Sequence, residues 1–150
     1  MNKFSQPIDL QLRLVRRSFR RAGIFLKHGS LADSPILFAN SFPKSGTHLL
    51  TQILNGFTKF GPAVNSGLPA IVNFDGPTGN LKPSDLILEE VNRLQGGDIA
   101  YGHLHATPAM VTDLTGKRAA VFFLYRDPRD VVVSHVHYVT EIEKEHVHRK

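Results

Sequence analysis

Residues 36–47 read Ile-Leu-Phe-Ala-Asn-Ser-Phe-Pro-Lys-Ser-Gly-Thr, an apolar run that leads directly into a short polar turn. The run 36–39 has the continuous apolar character of a strand buried in a parallel sheet. Apolar residues then recur at helical spacing between 47 and 59, which predicts a helix with one face packed on that sheet. A strand, a tight turn and a helix in this order form the repeating unit of parallel α/β folds.

The turn at 43–47 predicts an anion-binding site. Backbone N–H groups at the start of a helix converge on one point, where the helix dipole favours negative charge. Lys44 adds a positive charge, and Ser45 and Thr47 add hydroxyl donors. The alternative is a plain strand–helix connection with a surface lysine. Because the lysine precedes Gly46, the Gly-x-x-x-x-Gly-Lys order of an ordinary ATP or GTP P-loop is absent.

Length and composition exclude several classes of protein. The 150 residues suffice for one domain or part of one, and 41% of them are hydrophobic, enough for a core. The net charge of +5 suits an anionic ligand, and also weak attraction to nucleic acid or membranes. The absence of cysteine excludes disulfides and thiolate catalysis. With no secretory signal and no apolar run near the roughly 20 residues of a membrane span, we expect a cytoplasmic protein.

Residues 1–30 form a basic segment, and residues 31–150 are expected to form part of one α/β domain. Between 10 and 27, arginines and a lysine interleave with apolar residues. One interpretation is a basic amphipathic helix on an anionic membrane or a partner. The other, which the sequence favours, is a solvated and partly frayed helix.

Further strands and helices are predicted to alternate along the chain. Residues 60–84 are rich in glycine and proline and predict a long loop-rich insertion, either substrate-binding or disordered. Ser84 is expected to cap a helix over 85–95, and 98–102 is expected to be a strand. Alternating strands and helices imply a parallel sheet with ligands at the carboxyl ends of its strands.

From Thr107 onward the sequence predicts a helix, then a strand, then another helix. Thr107 followed by proline opens a short helix to about 114, and 119–125 is the strongest predicted strand. Asp127 followed by proline opens a helix from 128 to about 145.

A second group of polar residues lies where the predicted strand 119–125 ends. Arg126 is placed to bind a phosphate bidentately, and Ser134 is a lone hydroxyl among valines two helical turns beyond Asp127. The alternative is a surface arginine paired with Asp127 or Asp130, and a serine bonded to a backbone carbonyl.

Taken together, the two groups resemble the PAPS-dependent sulfotransferase family over roughly residues 35–140. Residues 42–47, Phe-Pro-Lys-Ser-Gly-Thr, are similar to that family's 5′-phosphosulfate loop, Tyr-Pro-Lys-Ser-Gly-Thr-Thr-Trp. Residues 126–134, Arg-Asp-Pro-Arg-Asp-Val-Val-Val-Ser, are similar to its 3′-phosphate motif, Arg-Asn-Pro-Lys-Asp-Val-x-Val-Ser. The resemblance implies a P-loop-like parallel sheet flanked by helices, and a donor, 3′-phosphoadenosine 5′-phosphosulfate (PAPS).

The resemblance also implies roles for individual residues. The 5′ end of the donor would contact Lys44, Ser45, Gly46, Thr47 and His48, and the 3′-phosphate would contact Arg126 and Ser134. His48 replaces the family's second threonine, and Leu49 stands where a tryptophan often stacks on the adenine. The family usually continues for about a hundred residues more, so we expect this chain to be truncated after the 3′-phosphate motif.

His103 is the candidate base, because a His-Leu pair in the family carries the catalytic histidine. His105 is its competitor, and on a strand both side chains would point the same way. Lys44 would stabilise the leaving phosphate while His103 takes the proton of a hydroxyl or amine acceptor. The acceptor would be a small molecule, carbohydrate or lipid, with no role for nucleic acid.

Two other functions stay open at this point. A P-loop nucleotide kinase would need Mg²⁺ and ATP. A non-catalytic module would bind 3′-phosphoadenosine nucleotides, or a membrane through residues 10–27, without turnover. A metal site is not expected, because His135 and His137 on one helix diverge by about 200° and no metal-ligand motif is present.

Overall fold

The computed structural model describes residues 5–75 and 78–142. In chain order the elements are α1 (Ser5–His28), β1 (Ile36–Ser41), α2 (Thr47–Asn55), a 3₁₀ turn (Gly56–Lys59), β2 (Val64–Asn65), β3 (Ile71–Val72), α3 (Ser84–Asn92), β4 (Asp98–His103), α4 (Pro108–Gly116), β5 (Ala119–Leu124), α5 (Pro128–His137) and a π-helical turn (Tyr138–Ile142).

The strands form one parallel sheet in the order β2-β4-β1-β5, with β3 also paired to β4. The predicted parallel α/β sheet flanked by helices is therefore confirmed. β1 lies between β4 and β5, so the turn that follows β1 lies beside the carboxyl ends of both neighbours.

Each face of the sheet has its own core, because side chains alternate between the faces of a strand. On one face, Ile36 and Phe38 pack with residues of α3 and α4. On the other, Leu37 and Ala39 pack against Leu54 of α2. Ser41 continues the second set, so it lies on the face of the sheet that α2 covers.

Several predicted boundaries and caps hold. Thr107 caps α4, accepting a hydrogen bond from the backbone N–H of Met110 at 3.3 Å. Asp127 caps α5, accepting from the N–H of Arg129 at 2.9 Å. The α-helical part of α5 ends at His137 and continues as the π-helical turn, and the last predicted residues, 143–145, lie outside the described residues.

One prediction about the middle of the chain is wrong. Ser84 is the first residue of α3 rather than its cap: the cap position is Pro83, which makes no side-chain hydrogen bond, and the helix ends at Asn92. The segment 60–84 is loop-rich as expected, and it also contains β2 and β3, which each pair with β4. These strands are two residues long, too short for a period-2 pattern to show in the sequence. Residues 76–77 of this segment lie outside the described residues.

The basic segment is a helix, α1, but it is not wholly solvated as the favoured interpretation held: Arg17 is buried and Arg13 and Arg21 are half-buried, whereas Arg16 and Arg20 are exposed. Arg17 is buried and donates to both carboxylate oxygens of Asp98, the first residue of β4, which is itself wholly buried. Arg21 donates to the same carboxylate at 2.9 Å, and the backbone N–H of Gln95 also donates to it at 2.8 Å. Burial raises the pKa of Asp98 above its ordinary value, against the opposing effect of Arg17, the Gln95 N–H and Arg21.

Candidate functional site

The turn after β1 has a backbone that only certain residues adopt easily. Lys44 (φ 66°) and Gly46 (φ 105°) are both left-handed, and Gly46 is the cap position of α2. The N–H of Ser45 donates to the carbonyl of Phe42 at 3.1 Å and closes the turn. A Cβ on Gly46 would also lie 3.2 Å from Cδ2 of Leu124 on β5. Left-handed residues within a turn help to aim backbone N–H groups into a concavity that suits an anion.

This turn forms one wall of a cleft of about 470 Å³ at the carboxyl ends of β1, β4 and β5. The structure brings most of the sequence-predicted site residues into it. Its lining residues are Pro43, Lys44, Gly46, Thr47, His48, Tyr101, His103, Arg126, Ser134, His135 and Tyr138. Ser45 does not line the cleft. It is buried under the turn, and its hydroxyl has no hydrogen-bond partner among the described residues.

Lys44 extends into the cleft and rests on an aromatic ring. Its Nζ lies 3.9 Å from the ring centroid of Tyr138, a cation–π contact. Tyr138 is the first residue of the π-helical turn, one helical turn beyond Ser134. Sequence reasoning did not find Tyr138, because the contact depends on how α5 approaches the turn and not on a local pattern.

His103, the last residue of β4, is oriented by β1. Its Nδ1 lies 2.8 Å from the backbone carbonyl of Ser41. A carbonyl can only accept, so Nδ1 carries the proton, and Nε2 is the unprotonated nitrogen of the neutral ring. The Ser41 hydroxyl lies 3.3 Å from Nδ1 and 2.5 Å from the hydroxyl of Thr47. Ser41 therefore links the imidazole to the turn at 43–47.

His105 is separated from this site. Because β4 ends at His103, the expectation that the two side chains point the same way is wrong. The ring of His105 packs edge-on against Phe74 at 5.5 Å, and its backbone N–H donates to Asn73 at 2.7 Å. His105 lines a different cavity, of about 330 Å³, between α4 and the sheet. Of the two candidate bases, only His103 lines the cleft with Lys44.

Arg126 pairs with Asp130, as expected for a surface arginine, and it also lines the cleft. Its Nε lies 3.2 Å from the Asp130 carboxylate, and both side chains are about half exposed. Such an exposed pair contributes little, about 0–1 kcal/mol, so a phosphate can displace the carboxylate at small cost. The neighbouring Arg129 pairs with Asp127 instead and lowers the pKa of that carboxyl.

The cleft is lined by cationic and titratable nitrogen groups, which favours an anionic ligand. Lys44 and Arg126 are joined there by three imidazoles, those of His48, His103 and His135, and none of the described residues lining the cleft is acidic. Within the described part of the chain, no group of His, Cys, Asp or Glu side chains is arranged to hold a metal ion. The cleft can therefore bind a polyanion and present one imidazole to a neighbouring molecule.

No protein-family model, curated protein or solved structure matches this chain.

Proposed function

We propose that the cleft binds PAPS and that the protein transfers its sulfuryl group to a hydroxyl or amine acceptor. The observation that carries the proposal is a convergence in space. Two phosphate-binding motifs far apart in sequence, 43–47 and 126–134, line one cleft that also contains the imidazole of His103. The parallel sheet brings the ends of β1 and β5 to one edge, so the support comes from the side chains there: Lys44, Arg126, Ser134 and His103 all line the same cleft.

The two ends of the donor would have different partners. The phosphosulfate end would lie on the turn, within reach of Lys44 and Thr47 and the N–H groups at the start of α2. The 3′-phosphate would lie against Arg126 and the Ser134 hydroxyl, with the guanidinium donating two parallel hydrogen bonds. His48 and His135 add further donors to this anionic ligand.

In the proposed reaction, the acceptor oxygen or nitrogen forms a bond to sulfur while the bond from sulfur to the bridging phosphate oxygen breaks. The acceptor proton moves to Nε2 of His103. The Nδ1–H bond to the Ser41 carbonyl holds the ring in place and is kept when the imidazolium forms. Negative charge grows on the leaving phosphate, where the Lys44 ammonium stabilises it. Donor and product are 3′-phosphoadenosine nucleotides, and no step needs Mg²⁺.

Calorimetry with 3′-phosphoadenosine 5′-phosphate and with ATP tests the binding part of the proposal. We expect binding of the bisphosphate that does not change on adding EDTA. Mg²⁺-dependent binding of ATP in its place would support a P-loop kinase and reject the proposal.

Turnover is tested by incubating the chain with ³⁵S-labelled PAPS and a panel of phenols, sugars, lipids and amines. Transfer of label to any acceptor, lost in Lys44→Ala, supports the enzyme. Binding of the bisphosphate without transfer to any acceptor class would instead support a non-catalytic nucleotide-binding module.

A further inference from the structure

Most arginines of α1 are hydrogen-bonded to the rest of the protein. Four of them donate to backbone carbonyls or to Asp98. These are Arg13 to Gly67 (3.2 Å), Arg17 to Arg93 (2.9 Å), Arg20 to Ser66 (3.4 Å) and Arg21 to Gly96 (3.0 Å). Surface helices of globular proteins normally bury their apolar side and expose the charged one.

The opposite side of α1 is apolar and exposed. The large residues there are Leu12 (52% exposed), Val15 (52%), Phe19 (75%) and Leu26 (85%), which we call the outer stripe. Their spacings of three, four and seven residues place them on one line along the helix, over about 21 Å. A row of exposed apolar residues of this length marks an interaction surface rather than scattered exposure.

The charges beside the outer stripe are positive. Arg16 and Lys27 are exposed along one flank. The only acidic residue of α1, Asp9, is already paired with Arg13 at 2.8 Å. A matching partner must therefore be apolar and negatively charged. A second copy of the chain does not meet this need, since pairing two such helices would gather like charges.

We propose that the outer stripe docks α1 onto the surface of an anionic phospholipid bilayer. Phe19 and the leucines would enter the boundary between headgroups and acyl chains, while Arg16 and Lys27 reach the lipid phosphates. The helix would lie in the interface, because none of the described helices is long and apolar enough to cross a bilayer.

The position of α1 leaves the cleft free when the stripe is docked. α1 is anchored at Asp98, where β4 begins, whereas the cleft lies where β4 ends at His103. The inference therefore stands apart from the proposed function, and its test needs no nucleotide.

The test is co-sedimentation of the full chain with lipid vesicles. One set is pure phosphatidylcholine, and the other contains about a third phosphatidylserine, which gives the negative surface potential of a cytoplasmic leaflet. We expect binding to the anionic vesicles to exceed binding to the neutral ones by about thirtyfold, since Arg16 and Lys27 each contribute about 1 kcal/mol near the surface. Phe19→Ser with Leu26→Ser should lower binding by about tenfold or more. Arg16→Gln with Lys27→Gln should remove the preference for anionic lipid.

The matched control is the double variant Phe123→Ser with Val132→Ser. Phe123 on β5 and Val132 on α5 are 60% and 61% exposed. The strand β5 forms the edge of the sheet opposite β2. This variant should bind vesicles as the unaltered chain does. Equal vesicle binding by the stripe variant and the control would overturn the inference, as would no binding to either vesicle. A dimer in sedimentation equilibrium that the stripe variant abolishes would assign the stripe to a second copy instead. Thermal unfolding of each variant shows whether the fold is intact.

Discussion

At the scale of single residues, one backbone carbonyl orients the proposed base. The Ser41 carbonyl accepts from Nδ1 of His103, which leaves Nε2 to take a proton from an acceptor in the cleft. Ser41 also connects this ring to Thr47 in the turn at 43–47, so the proposed base and the proposed donor site are both in contact with Ser41.

His103→Asn tests this orientation, because an asparagine amide can still donate to the Ser41 carbonyl but cannot act as a base. We expect the transfer rate to fall by about 10²- to 10⁴-fold, with the affinity for 3′-phosphoadenosine 5′-phosphate nearly unchanged. Single-turnover kinetics and calorimetry measure the two quantities. His105→Asn is the control and should keep its rate. A larger loss of rate in His105→Asn than in His103→Asn would exchange the two assignments.

At the scale of elements, α1 is held to the sheet by a buried ion cluster. Asp98 accepts from two guanidiniums and a backbone N–H in a site closed to water. Removing one partner from such a cluster lowers the stability of the fold, because the remaining charges stay buried without a partner.

We therefore expect Asp98→Ala to lower the free energy of unfolding by about 3–5 kcal/mol, measured by urea denaturation. Asp9→Ala is the matched control. It removes an exposed aspartate that pairs with Arg13 on the same helix, and should cost at most about 1 kcal/mol. Equal losses in the two variants would mean that the buried cluster does not anchor α1.

The first turn of α5 supplies a prediction about pH. Hydrogen bonds from the side chain and the backbone N–H of Arg129 lower the pKa of Asp127 below its ordinary value. Asp127 therefore stabilises the folded chain above the ordinary aspartate pKa of about 3.9, and this contribution is lost as the pH falls through its lowered value. In ¹⁵N NMR, the chemical shift of the Arg129 amide should follow the protonation of Asp127, with a midpoint below about pH 3.9. In Arg129→Ala, the midpoint of that titration should rise, whereas an unmoved midpoint would contradict the assigned cause.

The strands and capped helices were predictable because their signals are local. The apolar runs of β1 and β5, and the Thr-Pro and Asp-Pro caps, need no knowledge of the rest of the chain. The burial of Arg17 in α1 was not predictable, since a charge run normally marks a solvated face and only the tertiary fold places Asp98 opposite Arg17. The contact of Tyr138 with Lys44 depends in the same way on how α5 approaches the turn.

At the scale of the whole molecule, the proposed nucleotide cleft and the outer stripe are separate surfaces, since no described residue of α1 lines the cleft. The cleft gathers residues from the β1–α2 turn, the end of β4 and the start of α5, whereas the outer stripe belongs to α1 alone. The parallel sheet places the loops that line the cleft at the carboxyl ends of its strands. The chain could thus act on a molecule at the cleft while α1 lies on a membrane surface.

The central claim is that Arg126 and the turn at Lys44 hold two ends of one nucleotide. Calorimetry of 3′-phosphoadenosine 5′-phosphate and of AMP, which lacks the 3′-phosphate, with the unaltered chain and two alanine variants tests it most directly. We expect Arg126→Ala to weaken the binding of the bisphosphate by about ten- to a hundredfold and to leave the binding of AMP almost unchanged. Lys44→Ala should weaken the binding of both nucleotides.

Arg129→Ala and Lys59→Ala are the matched controls, since neither side chain lines the cleft and both are exposed. Loss of the preference for the bisphosphate in Arg126→Ala alone is the predicted result. Unchanged affinity for the bisphosphate in both Lys44→Ala and Arg126→Ala would contradict the account.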